Sequence, residues 1–136
     1  MINYEGRAQS WVTQAEYDLK AASDTLQNKN FSLVCFLAEQ SAQKSLKGFL
    51  IMQKEIHMHI HAIADLLKKA GAFNGDFNAF IKQGKILDKY YLSTRYPDTL
   101  PEPLLPFEAY GETEALEAID ISYAIYNVVR VHIVSK

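Results

Sequence analysis

The sequence contains a single cysteine and lacks long apolar segments, and each absence limits what the chain can be. One thiol, Cys35, cannot form an internal disulfide, which favours a reducing compartment, and its apolar neighbours indicate a core position. No apolar run approaches the roughly 20 residues that are needed to span a bilayer. Residues 1–7 are polar and unlike a signal segment. We therefore expect a soluble, cytoplasmic protein with no membrane partner.

The chain also lacks a strong excess of charge and the common catalytic motifs. Its net charge of −2 gives no bulk attraction to nucleic acid, so we expect no DNA binding, and any phosphate site must come from a local cluster of cations. A Gly-rich phosphate loop, a Ser-His-Asp set and paired catalytic carboxylates are absent from the sequence. A chain of 136 residues with 49% hydrophobic residues can bury one core, so we expect a single domain over residues 1–136.

Hydrophobic periodicity predicts an all-α fold. Asn30 is a candidate N-cap, and Gly84 would permit a bend. The predicted helices cover residues 10–26, 31–53, 61–70, 76–91 and 112–134. We therefore predict an antiparallel four-helix bundle with one additional short helix.

Two regions depart from an ordinary amphipathic pattern. All four prolines lie between Leu92 and Ala109, so a helix cannot run through this segment, and long loops of this kind are often functional. The last helix is apolar nearly all round, which indicates either a central position or a second apolar face for a partner chain.

Three segments of the sequence carry a likeness to a known family. The first is AEYDLKAA, residues 15–22, and the second is FLAEQSAQKSLK, residues 36–47. The third is LDKYY, residues 87–91, followed by TRYPD, residues 94–98. Gln43 stands where the family commonly has an acidic residue. Together these segments resemble the HEPN domain (higher eukaryotes and prokaryotes nucleotide-binding), and the likeness covers roughly residues 7–134.

The resemblance implies a helical bundle that usually forms a homodimer. It also implies two alternative functions. Some HEPN proteins are ribonucleases, often toxins, whereas others are non-catalytic partners of a small nucleotidyltransferase or bind nucleotides in a basic cleft.

The ribonuclease branch of the family carries an arginine followed about four to six residues later by a histidine that handles a proton. Neither Arg7, Arg95 nor Arg130 has a histidine in that window. We therefore favour a non-catalytic module that binds a nucleotide or a partner, with a nucleotidyltransferase or in a toxin–antitoxin pair. A ribonuclease with displaced catalytic residues and a purely structural dimer module remain alternatives, and no cofactor is implied.

Candidate ligand-binding residues lie on the second helix and in the proline segment. Lys44 and Lys47 share a helix face, and Arg95 beside Tyr96 could contact phosphate and base. The alternatives are a solvated lysine face and a salt bridge from Arg95 to Asp98 or Asp88. We predict a nucleotide site bounded by the second helix and the proline segment, formed by Lys44, Lys47, Arg95, Tyr96 and His61.

Three histidines alternate at positions 57, 59 and 61. Such spacing would suit zinc, but no fourth ligand is evident, so we predict no metal and a turn-forming or solvated cluster. The family likeness places His61 at the start of the short helix, where the family often has a histidine.

Overall fold

The computed structural model describes residues 1–134, and within that range it contains helices and no strands. A 3₁₀ turn covers Gly75–Phe80 and another covers Pro97–Thr99. The α-helices are α1 (Tyr4–Leu26), α2 (Phe31–Met52), α3 (Ile63–Gly71), α4 (Ile81–Asp88), α5 (Tyr90–Ser93), α6 (Pro106–Ala109) and α7 (Glu112–Val134). The predicted all-α helical bundle is confirmed.

The three long helices α1, α2 and α7 form the centre of the bundle. Gly48 lets α1 approach α2 closely, because a Cβ at this position would lie 2.8 Å from Val12 Cγ2. Phe49, near the end of α2, packs against His132, near the end of α7, with ring centroids 6.0 Å apart. Thus α2 and α7 run in the same direction, and the segment between them returns the chain to the first turn of α2.

The structure differs from the sequence prediction at the start of α1 and over residues 76–91. Helix α1 begins at Tyr4 rather than Ser10, because the Asn3 side chain accepts a hydrogen bond from Gly6 N at 2.9 Å and caps the helix. The predicted helix over residues 76–91 is divided into a 3₁₀ turn, α4 and α5. Asn30 occupies the N-cap position of α2, but its side chain makes no capping hydrogen bond.

Gly84 serves close packing, since α4 continues through it. A Cβ at Gly84 would lie 2.6 Å from Leu67 Cδ1, so the glycine allows α3 and α4 to touch. The Asp88 carboxylate, at the end of α4, accepts hydrogen bonds from the backbone N–H groups of Ile63 and Ala64. These contacts hold α3 and α4 together as one unit, and the proline segment follows this unit along the chain.

The proline segment is ordered against the bundle. Pro106 is buried, the hydroxyls of Tyr110 and Ser93 are hydrogen-bonded, and the Tyr90 and Tyr110 rings meet edge to face at 5.1 Å. In residues 1–134, no helix combines the length and the apolar character that a membrane crossing requires.

Candidate functional site

A cleft of about 410 Å³ separates the first turns of α2 from the proline segment. Its walls are mainly apolar and aromatic, and Arg95 is the one charged residue among the described residues that line it. The lining residues are Asn30, Ser32, Leu33, Phe36, Thr94, Arg95, Pro97, Leu105, Pro106 and Phe107. The structure thus contains a cleft between the second helix and the proline segment, where the sequence predicts the nucleotide site.

Arg95 is held in place by aromatic rings and by a backbone carbonyl. Its guanidinium carbon lies 4.4 Å from the Phe36 ring centroid, 4.9 Å from that of Tyr96 and 5.3 Å from that of Tyr91. Nε and Nη2 donate to the Tyr91 carbonyl at 3.2 and 2.6 Å. No carboxylate in the part of the chain that the structure describes lies within ion-pair distance of Arg95. The guanidinium is therefore oriented, exposed and available to an anion.

The beginning of α2 adds a second positive feature to the same cleft. The first-turn N–H groups of a helix have no intrahelical acceptor. Here the Asn30 side chain does not cap them, and the first turn contains no acidic residue. Asn30 and Ser32 both line the cleft. The partial positive charge of the α2 N-terminus therefore acts in the cleft that also contains Arg95.

The two predicted lysines lie elsewhere, although their helical spacing is as expected. Lys44 Nζ is 2.6 Å from Asp18 Oδ2 on α1, and the Gln14 amide donates to the other Asp18 oxygen at 3.0 Å. Lys47 is buried, with 4% of its surface exposed, and donates to Met58 O at 3.2 Å. Neither lysine lines the cleft that contains Arg95.

Lys47 belongs instead to a buried polar network along α2. Its Nζ donates to Gln43 Oε1 at 3.0 Å, and Gln43 Nε2 donates to Glu39 Oε2 at 2.9 Å. The Gln40 amide donates to the other Glu39 oxygen at 2.8 Å. Glu39 is fully buried, and this burial raises its pKa from 4.5 to about 7, against the opposing effect of the two amide hydrogen bonds.

His61 joins this network to the aromatic rings around Arg95. Its Nδ1 is 3.1 Å from Gln43 Oε1. An amide oxygen can only accept, so Nδ1 is the donor, and the Nε2 of the neutral imidazole is left as an acceptor facing away from Gln43. The His61 ring stacks on Tyr91 at 5.1 Å, and burial, followed by the charges of Lys47 and His59, lowers its pKa.

The structure thus brings together His61, Arg95 and Tyr96, and the Tyr91 ring contacts both His61 and Arg95. Lys47 reaches His61 only through Gln43, and Lys44 is separate. Sequence reasoning did not single out Phe36, a wall of the cleft, or Tyr91, which contacts both His61 and Arg95. The spacing of four residues between Glu39 and Gln43 was the available signal for the buried network.

The other two histidines do not join His61 in a metal-binding arrangement. His57 Nε2 lies 2.8 Å from Glu55 Oε1, and the rings of His57 and His59 are 6.4 Å apart. Over residues 1–134 there is no group of three or more His, Cys, Asp or Glu side chains placed to hold a metal ion.

Comparison with known proteins identifies the family. The family model of the HEPN domain matches residues 8–132, and the chain belongs to this family. It is similar to TT1696 from Thermus thermophilus, with 33% identity and a TM-score of 0.82 over 91% of this chain and 96% of that one. It is also similar to ST0689, an archaeal HEPN homologue, with 35% identity and a TM-score of 0.76 over 93% and 98% of the two chains. A search of the curated proteins found no match.

Proposed function

We propose that this chain is a non-catalytic HEPN module that binds the phosphate of a nucleotide in the cleft beside Arg95. The module would act with a small nucleotidyltransferase or in a toxin–antitoxin pair. The observation that carries the proposal is Arg95 itself, since it is held by aromatic rings and a backbone carbonyl, has no ion-pair partner within residues 1–134 and supplies the charge of an otherwise uncharged cleft.

The surroundings of Arg95 fit the remaining parts of a nucleotide. The uncapped N-terminus of α2 offers backbone N–H groups to phosphate oxygens. Tyr96, which is 50% exposed and whose ring centroid lies 4.9 Å from the Arg95 guanidinium carbon, presents an aromatic face on which a base can stack. Phosphate and base can therefore be bound by adjacent parts of one surface.

The test is calorimetric titration with ATP and with GTP. A charge-assisted contact contributes about 1.5–3 kcal/mol, so Arg95→Ala should weaken binding by roughly ten- to a hundredfold at low salt. Lys44→Ala is the matched control, because Lys44 is paired with Asp18 and lies away from the cleft. If Lys44→Ala weakens binding and Arg95→Ala does not, the phosphate site lies on the lysine face. Absence of nucleotide binding by the wild type up to millimolar concentration would refute the nucleotide part of the proposal.

A second candidate function, ribonuclease activity with displaced catalytic residues, is favoured by the state of His61. A neutral histidine with an outward Nε2 can accept a proton, and the Arg95 guanidinium carbon lies 5.3 Å from the centroid of the Tyr91 ring on which His61 stacks. The assay is cleavage of a mixed RNA pool by the purified protein, with and without divalent metal. Specific cleavage that disappears in both His61→Ala and Arg95→Ala would establish this activity and overturn the non-catalytic proposal.

A further inference from the structure

The proline segment exposes apolar side chains on a stiff backbone. Phe107 is 70% exposed, and Leu104 and Leu105 are each about two-fifths exposed. Prolines at positions 97, 101, 103 and 106 restrict the backbone. Exposed apolar patches mark sites of association in soluble proteins, and a stiff backbone reduces the entropy that is lost on binding.

A second cavity of about 410 Å³ lies within this segment, and acidic side chains form part of its wall. Asp98 and Glu102 line the cavity together with Leu100, Leu104 and Leu105. Neither carboxylate has an ion-pair partner among the residues that the structure describes. The cavity therefore offers negative charge directly beside exposed apolar surface.

The surrounding sequence extends the negative charge. Residues 96–129 contain seven acidic residues and no lysine or arginine. A lone metal ion would satisfy the carboxylates but would leave Phe107 and Leu104 uncovered. A matching occupant must bring both positive charge and apolar side chains, which is the chemistry of a basic amphipathic segment of a protein.

We propose that the proline segment is a docking surface for a partner protein, which inserts an arginine or lysine between Asp98 and Glu102 and packs apolar side chains on Leu104, Leu105 and Phe107. This inference rests on the partner-binding part of the proposed function. It identifies the surface to which that partner would bind. It does not require nucleotide binding at Arg95, which a separate titration measures.

The experiment uses the full chain and two labelled synthetic peptides with the same leucine pattern, one carrying arginines and the other glutamates in their place. Fluorescence anisotropy should show binding of the arginine peptide and none of the glutamate peptide. Phe107→Ser should weaken binding about tenfold or more. The double variant Asp98→Asn/Glu102→Gln should weaken it about tenfold and reduce its dependence on salt.

Tyr17→Ser is the matched control, because Tyr17 on α1 is exposed to nearly the same extent as Phe107 and should leave peptide binding unchanged. Equal binding of both peptides would overturn the proposal, as would binding that neither Phe107→Ser nor the double variant changes. Self-association of the chain that Phe107→Ser abolishes would also overturn it, because a second copy would then cover this surface.

Discussion

The buried Glu39 carboxylate predicts an unusual dependence of stability on pH. Glu39 is fully buried and has no cation within ion-pair distance among residues 1–134. Its pKa is raised from 4.5 to about 7, chiefly by burial. In this pH range the folded chain keeps a proton on Glu39 that the unfolded chain has released. The free energy of unfolding should therefore fall as the pH rises from about 4 to about 8.

The magnitude follows from the size of the pKa change. A change from 4.5 to about 7 corresponds to about 3 kcal/mol lost across this range. Glu39→Gln removes the titrating group and nearly preserves its shape. The difference in unfolding free energy, variant minus wild type, should thus increase by about 3 kcal/mol between about pH 4 and about pH 8. A constant offset from the altered hydrogen bonds to Gln40 and Gln43 would not change this slope.

The assay is urea denaturation of the wild type and the variant at a series of pH values. Glu108→Gln is the matched control, since Glu108 is exposed on α6 and its difference from the wild type should stay flat. A flat difference for Glu39→Gln would refute the reasoning. It would mean that Glu39 is already ionised in the folded chain, with Lys47 and Arg95, which both interact electrostatically with Glu39, as the candidates for a compensating charge.

Three further predictions concern helix packing, helix capping and a hydrogen bond between two helices. Gly48→Ala should destabilise the chain by about 1–3 kcal/mol in thermal denaturation despite the better helix propensity of alanine, whereas Gly75→Ala, where a Cβ meets nothing within 4 Å, should not. Asp88→Ala removes the cap of α3 and should lower the unfolding free energy by about 1 kcal/mol, with faster amide exchange in the first turn of α3. Tyr126→Phe removes a hydrogen bond to Glu16 between α7 and α1 and should cost about 1 kcal/mol in urea denaturation; no loss would show that water replaces the bond.

The sequence predicted the bounds of α2 and α7 well, because the apolar residues of these helices repeat over several turns. Helix α2 was predicted over residues 31–53 and is found at Phe31–Met52, while α7 was predicted over 112–134 and is found at Glu112–Val134. The region over residues 76–91 was predicted less well. It is divided into a 3₁₀ turn and two short helices, and α4 ends at Asp88, whose carboxylate accepts hydrogen bonds from the backbone N–H groups of Ile63 and Ala64. No local sequence pattern encodes these long-range contacts.

The candidate site was predicted only in part, and the reason is geometric. Helical spacing places Lys44 and Lys47 on one face of α2, but it does not show which neighbour each lysine meets. Asp18 reaches Lys44 because α1 packs along α2, and Met58 reaches Lys47 because the connection after α2 folds back over it. Arg95 lines the cleft between α2 and the proline segment, because it belongs to the segment that forms one wall of that cleft.

The exposed face of α7 leads to a last prediction, which is that the chain forms a homodimer. Leu116 and Tyr123 lie two helical turns apart on one face of α7, and they are 44% and 56% exposed. A two-fold interface uses the same patch on both copies, so an apolar face on one long helix is sufficient to build it. A homodimer built in this way would cover Leu116 and Tyr123, which the single chain leaves exposed.

Light scattering at micromolar concentration should give twice the monomer mass of 15.4 kDa. Tyr123→Lys should shift the protein to the monomer, because two lysines would face each other across the two-fold axis and remain partly desolvated. Phe73→Lys is the control, since Phe73 is exposed to a similar degree but lies outside α7. A wild type that is monomeric would contradict the prediction outright. A dimer that survives Tyr123→Lys would place the interface on another face, and the exposed side chains of α7 would then need a different partner.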